Sequence, residues 1–327
     1  MSNFRLNKRV ARLVRLNDKF TTIDDFSKLE PSTKVKMRYR QKFENIIPEH
    51  RKYLTYRWSN EKTDTRMTIA VDSFNQSSEK NEVMFMRKTA LLQRRRNVIW
   101  NETETALLPE HEATNIEEIP VVFFSDLKNL YAIVFTANES ILSDVNRLIG
   151  GKNIDSTEFE LDTNMFSWLY LQYKTKKQQI ENYVIKNLNA FTGTIKKDDS
   201  ADIITGRSDE IINLQATTLH VAMNYPFNSL GMILQQRGSN DLIHFLLDKN
   251  YTLVIDTRKT LISEFPKEWI GLDKESAIYV YVYAYLVSYI KWNFQKHQAE
   301  FESDFVELRK NLIQEIRENL VTAEQDL

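Results

Sequence analysis

Apolar and polar residues alternate along several short runs in the first half of the chain, a pattern typical of half-buried strands. We predict strands at Tyr53–Trp58, Arg66–Phe74 and Glu82–Leu91, the last two forming a hairpin across a polar loop. Ile119–Phe124 and Leu130–Phe135 flank a second short loop in the same way. Because short loops join neighbouring antiparallel strands, we expect antiparallel hairpins in this half.

Helical spacing precedes these strands. Leu6, Val10 and Leu13 recur at intervals typical of one helix face, so we predict a helix over the first twenty residues with a stripe of basic residues on another face. Residues 32–47 are ambiguous, because a Ser or Thr at their start can cap a helix while residues 34–43 alternate with the period of a strand. Either structure leaves basic side chains exposed.

A further helix is predicted to begin at Asn138 or Ser140 and to end at Gly150-Gly151. We take this double glycine as a domain boundary. The sequence therefore predicts a basic α+β domain with antiparallel hairpins over residues 1–151. An acidic α+β domain is predicted over residues 152–327.

The second domain begins with three weaker patterns. Residues 158–162 alternate as on a half-buried strand, Thr175–Phe191 shows helical spacing, and the polar segment Lys196–Asp209 indicates a loop. Three short apolar runs with tight connections follow. They predict a three-stranded meander made of Leu230–Gln236, Leu242–Leu247 and Tyr251–Asp256.

The chain ends in a long helical pattern. Neither glycine nor proline occurs after Gly271, Asp273 can cap a helix, and apolar residues keep heptad-like spacing as far as Leu320. Five tyrosines near its start would point around the whole circumference, which indicates a buried helix whose hydroxyls reach polar partners. The predicted fold class is α+β: antiparallel hairpins and a meander with flanking helices and a long amphipathic C-terminal helical region.

Residue composition removes much of enzyme chemistry. The 327 residues include no cysteine, which excludes disulfides, thiol nucleophiles and Cys-ligated zinc or iron–sulfur sites. Neither a dinucleotide fingerprint nor a nucleophile elbow occurs, and the residues around Gly150-Gly151-Lys152 do not complete a P-loop. The five histidines lack the spacing of a helix-borne zinc site. We therefore expect no cofactor and a non-catalytic role.

Charge is distributed unevenly along the chain. The formal net charge is only -1, but residues 1–100 carry 23 Lys and Arg against 11 Asp and Glu, while residues 101–327 carry 21 against 34. Charge asymmetry of this kind speaks to binding partners and not to the fold. It directs the search for function to a charged partner.

Basic side chains with interleaved aromatics are the ingredients of a nucleic-acid interface, because cations displace counterions from phosphates and aromatic rings stack on bases. We therefore predict a protein whose basic half binds the phosphates of DNA or RNA without base specificity and whose acidic half mediates assembly. The candidate contact residues are Arg5, Lys8, Arg12, Arg15, Lys19, Lys36, Arg38, Arg40, Arg57, Arg94, Arg95 and Arg96.

Two alternatives stay open. The opposed charges of the two halves would also suit self-complementary association, within one chain or between copies. A metal-dependent nuclease is the second alternative, with carboxylates of residues 158–162, or Asp256 beside Lys259, holding the ion. Outward faces of half-buried strands produce the same acidic pattern without any function. No metal site is therefore assigned.

The first twenty residues contain no uninterrupted apolar segment, and we expect no secretory leader. The longest apolar stretch, Ala277–Ile290, is shorter than the roughly 20 residues that a membrane-spanning helix needs. We predict no membrane span and a cytoplasmic location.

Overall fold

The computed structural model describes residues 8–37, 39, 47–59, 66–72, 80–101, 106–126, 128–155, 157, 160–177, 180–197 and 200–325. The fold is α+β, as predicted, and the strand pairs described below are all antiparallel. The chain divides into two compact units, one of residues 11–157 and one of residues 158–327 with the residues before Ala11. The predicted domain division after residue 151 stays a prediction.

Seven strands form the sheet of the first unit. The strands are β1 (Lys8–Arg15), β2 (Ser32–Lys36), β3 (Tyr53–Trp58), β4 (Arg66–Asp72), β5 (Lys80–Arg95), β6 (Thr114–Ser125) and β7 (Leu130–Val134). Their order is β2–β3–β5–β6–β7–β1, and β4 pairs with β5 beside this path. The predicted hairpins are confirmed, because β4 pairs with β5 and β6 with β7.

The predicted first helix is wrong, since the described part of that segment is strand β1. Leu13 lies opposite Ile133 of β7, and Arg12 lies opposite Val134. Ala11 and Val14 are buried, three residues apart as on a helix. The described basic residues of this segment therefore do not lie along one helix face. The ambiguous segment that follows contains β2, while residues 38 and 40–46 lie outside the described residues.

A large core cluster lies on one side of the first sheet, and a second group of buried residues, including Phe85, Val122 and Phe124, lies on the other side. A 3₁₀ helix (Ile23–Lys28) and the helix α2 (Glu139–Ile149) lie on the side of the large core cluster, and Phe26 makes edge contacts with Trp58 and Phe123. Helix α2 begins and ends as predicted: the Asn138 side chain accepts a hydrogen bond from the backbone N–H of Ser140, and Gly150 follows the last turn. A short helix, α1 (Glu110–Ala113), leads into β6.

Five strands form the sheet of the second unit. The strands are β8 (Tyr183–Lys197), β9 (Ser200–Arg207), β10 (Phe227–Gln236), β11 (Leu242–Asp248) and β12 (Thr252–Asp256). Their order is β12–β11–β10–β8–β9. The predicted meander is confirmed by β10, β11 and β12. The predicted helix over Thr175–Phe191 and the predicted loop over Lys196–Asp209 are wrong, because strands β8 and β9 occupy most of these residues.

Helices cover one side of this second sheet. The strand predicted over residues 158–162 is also wrong in its described part. The carboxylate of Asp162 accepts a hydrogen bond from the backbone N–H of Asn164 (2.9 Å) and so caps a helix. A π-helical turn (Tyr281–Leu286) joins α5 to α6. The helices are α3 (Thr163–Lys174), α4 (Gln215–Ala222), α5 (Gly271–Val280), α6 (Val287–Lys296) and α7 (Gln298–Gln325).

The predicted burial of the tyrosine-rich helix is confirmed. The hydroxyl of Tyr283 donates to the backbone oxygen of Tyr251 (2.7 Å), and the hydroxyl of Tyr281 lies 2.6 Å from that of Tyr183. The Tyr279 hydroxyl accepts a hydrogen bond from a backbone N–H of β12. Buried hydroxyls need such partners, and these bonds fix the helix against the strands.

The helices in the described residues include none that is both long enough and apolar enough to cross a bilayer.

Candidate nucleic-acid interface

The side of the first sheet opposite the large core cluster is open along β2, β3, the C-terminal half of β5 and the N-terminal half of β6, whereas Phe85, Val122 and Phe124 on the same side are buried. Side chains alternate between the two faces of a strand, and residues directly opposite each other across a ladder share a face. Leu54 and Tyr56 of β3 point into the core, so Arg57 points to the other side. According to the strand register, Lys34 and Lys36 on β2 and Arg95 on β5 point to the same side as Arg57 on β3. We call this side the open face.

Four exposed cations lie on the open face. Lys34 and Lys36 come from β2, Arg57 from β3 and Arg95 from β5, and each side chain is solvent-exposed. Among the described residues of these four strands, Glu118 is the one carboxylate that shares the face. Neighbouring strands lie about 4.8 Å apart, so the cations span a surface roughly 10 Å wide from β2 to β5. The four cations outnumber the carboxylates of Glu118 and of Glu110 in the neighbouring helix α1, so this surface carries a net positive charge.

Apolar and hydroxyl-bearing side chains lie between the cations. Tyr53 and Thr55 share the open face on β3, and Leu91 on β5 lies opposite Arg57. Ile116 on β6 is 57% exposed. A cavity of about 270 Å³ is centred here and is lined by Thr55, Arg57, Leu91, Gln93, Glu110 and Ile116.

Gln93 shapes the floor of this cavity. The ladder between β3 and β5 pairs Tyr56 with Leu92, and beyond that pair the amide oxygen of Gln93 accepts a hydrogen bond from the backbone N–H of Thr55 (2.9 Å). The amide nitrogen of Gln93 donates to Glu110 of α1 (2.8 Å). A side chain therefore takes the place of a backbone bond at this point, and its amide is held in one orientation.

Arg95 lies at the edge of the open face next to an aromatic ring. Its guanidinium is 5.4 Å from the ring centre of Tyr39, a cation–π distance. The Tyr39 hydroxyl donates to the backbone oxygen of Arg51 (2.9 Å), and burial raises the pKa of Tyr39. The ring is thus fixed by its hydroxyl and supports the planar group of Arg95.

Three predicted contact residues are occupied elsewhere. Arg12 forms an ion pair with Glu139 (2.5 Å) and Arg15 with Asp155 (2.6 Å). Arg94 points to the core side of β5, where it pairs with Glu117 (3.0 Å) and with Asp144. These arginines stabilise the first unit and are not available to a phosphate.

The pair between Arg94 and Asp144 is the most buried of these ion pairs. The Asp144 side chain is only 5% exposed and is also bound by Arg147 (2.9 Å). Burial acts to lower the pKa of Arg94, but hydrogen bonds to Asp144 and Glu117 outweigh it and raise this pKa. The guanidinium joins α2 to the sheet in its charged form.

We expect Arg94→Ala to lower the free energy of unfolding by about 2 kcal/mol, because the buried carboxylate of Asp144 loses one of its two arginines. Urea unfolding measures the change. Arg96→Ala is the matched control, since Arg96 is exposed and has no described side-chain partner, and its effect should stay within about 0.5 kcal/mol. Equal effects of the two substitutions would contradict the structural role of Arg94.

The remaining predicted residues are dispersed. Lys19 lies exposed in the turn after β1, and Arg96 lies exposed just beyond the end of β5. The backbone of Lys8 begins β1. Arg5, Arg38 and Arg40 lie outside the described residues. Of the twelve predicted residues, Lys36, Arg57 and Arg95 are brought together on one face, and sequence reasoning missed their neighbour Lys34.

The opposed charges of the two sequence halves are mixed within the compact units. The unit of residues 11–157 holds 23 Lys and Arg against 21 Asp and Glu, and the remaining residues hold 21 against 24. Ion pairs such as those of Arg12 and Arg15 join the basic segment to acidic residues after position 100. The net charges of the two units are therefore small, +2 and −3, whereas the open face keeps a local positive charge.

Of the acidic candidates of the nuclease alternative, Glu158 lies outside the described residues and the described ones do not converge. In the described part of the chain no group of three or more His, Asp or Glu residues is arranged to hold a metal ion. Glu160 is exposed beside Lys249 (3.5 Å), and the carboxylate of Asp162 caps α3. Asp256 lies in a different part of the second unit.

The chain matches no protein-family model and no curated protein, so the open face is judged on its own geometry and charge.

Proposed function

We propose that the protein binds single-stranded nucleic acid on the open face of its first unit, as a non-catalytic, cytoplasmic protein. The observation that carries the proposal is the set of four exposed cations, Lys34, Lys36, Arg57 and Arg95, on adjacent strands of one sheet. Lysine and arginine neutralise phosphates whatever the base, so affinity should depend on salt and only weakly on sequence.

Apolar side chains between the cations favour a single strand over a duplex. An unpaired base packs on apolar or aromatic side chains; Leu91 and the exposed Ile116 line the cavity at Gln93, and Tyr53 lies further along β3 on the same face. The bases of a duplex are stacked on each other and do not reach a flat sheet. The amide nitrogen of Gln93 donates to Glu110 and Thr114, so its oxygen, with one lone pair beyond the bond from Thr55, is the group that can accept from a base edge or a ribose hydroxyl.

A fluorescence-anisotropy titration over a range of salt concentrations tests this proposal with labelled oligothymidine and oligouridine. We expect Lys36→Gln, Arg57→Gln and Arg95→Gln each to reduce the log–log salt slope by about 0.7, the value for one phosphate contact on a single strand. At 0.1 M salt this corresponds to roughly a fivefold loss of affinity.

Lys19→Gln is the matched control for these variants. It removes one exposed charge from the same unit but from outside the four strands. Its affinity should equal that of the parent protein. The proposal fails if the parent protein does not bind either oligonucleotide at 20 mM salt, or if Lys19→Gln weakens binding as much as Arg57→Gln.

Assembly is a second element of the proposal, carried by helix α7. This helix keeps Leu320 60% exposed and Val321 53% exposed, although it is acidic along much of its length. Exposed apolar side chains of this size favour association with a second copy of the chain. Light scattering should give a mass above 38.6 kDa, which Leu320→Gln lowers toward the monomer. A monomeric mass at all concentrations would remove this element.

A further inference from the structure

The second unit has a polar pocket on the uncovered side of its sheet. Residues Arg207, Ala190, Gly231, Leu246 and Val254 lie opposite one another on β9, β8, β10, β11 and β12 in turn. They form one row that crosses five strands, which is roughly 19 Å at the usual strand spacing. The cavity above this row has a volume of about 330 Å³.

A bulge in β8 aims a side chain into this pocket. The register between β8 and β10 shifts next to Gly231, which faces Ala190 while Met232 faces Leu188, so Asn189 is the extra residue. A Cβ atom at Gly231 would lie 2.7 Å from Oδ1 of Asn189. The glycine therefore leaves room for the amide, and glycines at such places also allow close approach of a ligand.

The opposite end of the pocket holds an imidazole and a carboxylate. Phe245 lies opposite Ile255, so the same antiparallel register sets His244 opposite Asp256 on the pocket side. The turn after β12 then folds back over β11. Its Thr260 hydroxyl accepts a hydrogen bond from the backbone N–H of His244 (3.1 Å). This turn brings Lys259 to the rim of the pocket.

Two cations at the rim give the pocket its charge. The side chains of Arg207 and Lys259 both line the cavity and are exposed, and neither has an ion-pair partner among the described residues. Leu246 and Val254 form an apolar floor between them. The amide of Asn189 and the carboxylate of Asp256 are hydrogen-bonding groups suited to hydroxyl and amino groups of a ligand.

We propose that this pocket binds a phosphate monoester of nucleotide or sugar-phosphate size. The long side chains of Arg207 and Lys259 line the cavity from its two ends and supply charge-assisted hydrogen bonds to the phosphate between them. The apolar floor and Asp256 take the body of the ligand, whose hydroxyl or amino groups donate to the carboxylate. A cavity of this volume lies at the small end of the range for ligand pockets, so a polymer does not fit inside it.

Isothermal titration calorimetry of the full chain tests the site with three probes: AMP, ribose 5-phosphate and adenosine. We expect AMP to bind and adenosine to bind at least tenfold more weakly, because adenosine lacks the phosphate. Ribose 5-phosphate separates the two sources of the phosphate: affinity equal to that of AMP identifies sugar phosphates, and tenfold weaker binding identifies nucleotides. Binding of adenosine as tight as that of AMP, or no binding of either phosphate, overturns the proposal.

Substitutions at the rim locate the binding. Lys259→Gln and Arg207→Gln should each weaken the binding of AMP about tenfold, while Lys267→Gln, an exposed lysine of the same unit outside the pocket, should leave it within twofold. Loss of affinity in Lys267→Gln alone, or unchanged affinity in both rim variants, contradicts this site. Arg57→Gln on the open face should not change AMP binding, so this site and the nucleic-acid interface succeed or fail separately.

Discussion

Replacing Lys36, Arg57 and Arg95 by glutamine in one protein is expected to weaken the binding of single-stranded nucleic acid about a hundredfold at 0.1 M salt. Each cation that contacts a phosphate contributes about 0.7 to the log–log salt slope, so three contacts contribute about two units of slope and two decades of affinity. The three residues lie on three different strands, and their effects should be close to additive. Anisotropy titrations between 20 mM and 300 mM salt measure both quantities.

A triple variant with the same change of charge serves as the control. Lys19, Lys128 and Lys152 are exposed residues of the same unit, have no described side-chain partners and lie outside the four strands of the open face. Their replacement by glutamine should leave the slope unchanged. If both triple variants lose the same affinity, binding follows the net charge of the unit and the open face is not an interface. Circular dichroism confirms that both variants are folded.

Elements with local signals agree with the sequence analysis. Strand β3 has the predicted bounds, because Leu54, Tyr56 and Trp58 alternate strictly with outward-facing residues. Helix α2 was found from Asn138 at its start and Gly150 at its end, both of which perform the capping that their types favour. The pattern of apolar and polar residues, together with capping and turn residues, identifies an element when one of its faces is buried and the other is exposed to solvent.

Elements that break this condition were misassigned. The arginines of β1 keep their stems against protein and their charged ends in ion pairs, so neither face shows a clean alternation. In β8, the shift of register opposite Ile233 and Leu234 changes the phase of the apolar positions between Tyr183 and Leu188, so their spacing resembles that of a helix. These effects come from distant pairing partners and leave no local trace.

An element that is buried on all sides, or exposed on all sides, lacks the contrast between apolar and polar positions by which a sequence pattern identifies it. The sequence does not predict helix α3, because its residues from Met165 to Gln172 are all buried. Helical periodicity depends on a contrast between an apolar and a polar face, which is absent here. The sequence predicts a loop in place of strand β9, because this strand lies at the edge of its sheet, where Ile203 is 76% exposed beside polar residues. Only the tertiary structure distinguishes these cases.

The candidate interface, like these elements, depends on tertiary structure that the sequence pattern does not show. Sequence reasoning identified cationic segments but not which side of a strand each cation occupies. Arg94 and Arg95 are neighbours in sequence, yet one joins α2 to the core side of the sheet and the other lies on the open face. The acidic partners of Arg12 and Arg15 lie more than one hundred residues away along the chain. Register and pairing therefore decide which charges are free to bind.

Substitution of two strand glycines is expected to have the largest effect on stability. Gly193 and Gly206 lie on β8 and β9, where buried rings take the space that a side chain would fill. A Cβ atom at Gly193 would lie 2.2 Å from the His220 ring, and one at Gly206 would lie 2.2 Å from the Phe191 ring. Each change to alanine should lower the free energy of unfolding by about 3 kcal/mol, as measured by urea denaturation.

The two rings cannot move away easily, because they pack on each other. Phe191 and His220 have ring centres 5.4 Å apart, and both contact Phe227. Burial lowers the pKa of His220, so the ring is neutral, and its Nε2 lies 3.3 Å from the backbone oxygen of Pro226. Moving the imidazole would break this contact inside the core. The added methyl groups therefore meet a rigid cluster and not a flexible side chain.

Gly151→Ala is the control, since no atom lies within 4 Å of a Cβ built at Gly151 and its backbone is not in the left-handed region. Its stability should stay within about 0.5 kcal/mol of the parent or rise slightly, because alanine restricts the unfolded chain. The double variant Gly193→Ala, His220→Ala isolates the cause. Removing the ring makes room for the new methyl group. The loss of unfolding free energy in the double variant should therefore be smaller than the sum of the two single losses by at least about 1 kcal/mol. Strict additivity would mean that the clash with His220 is not what destabilises Gly193→Ala.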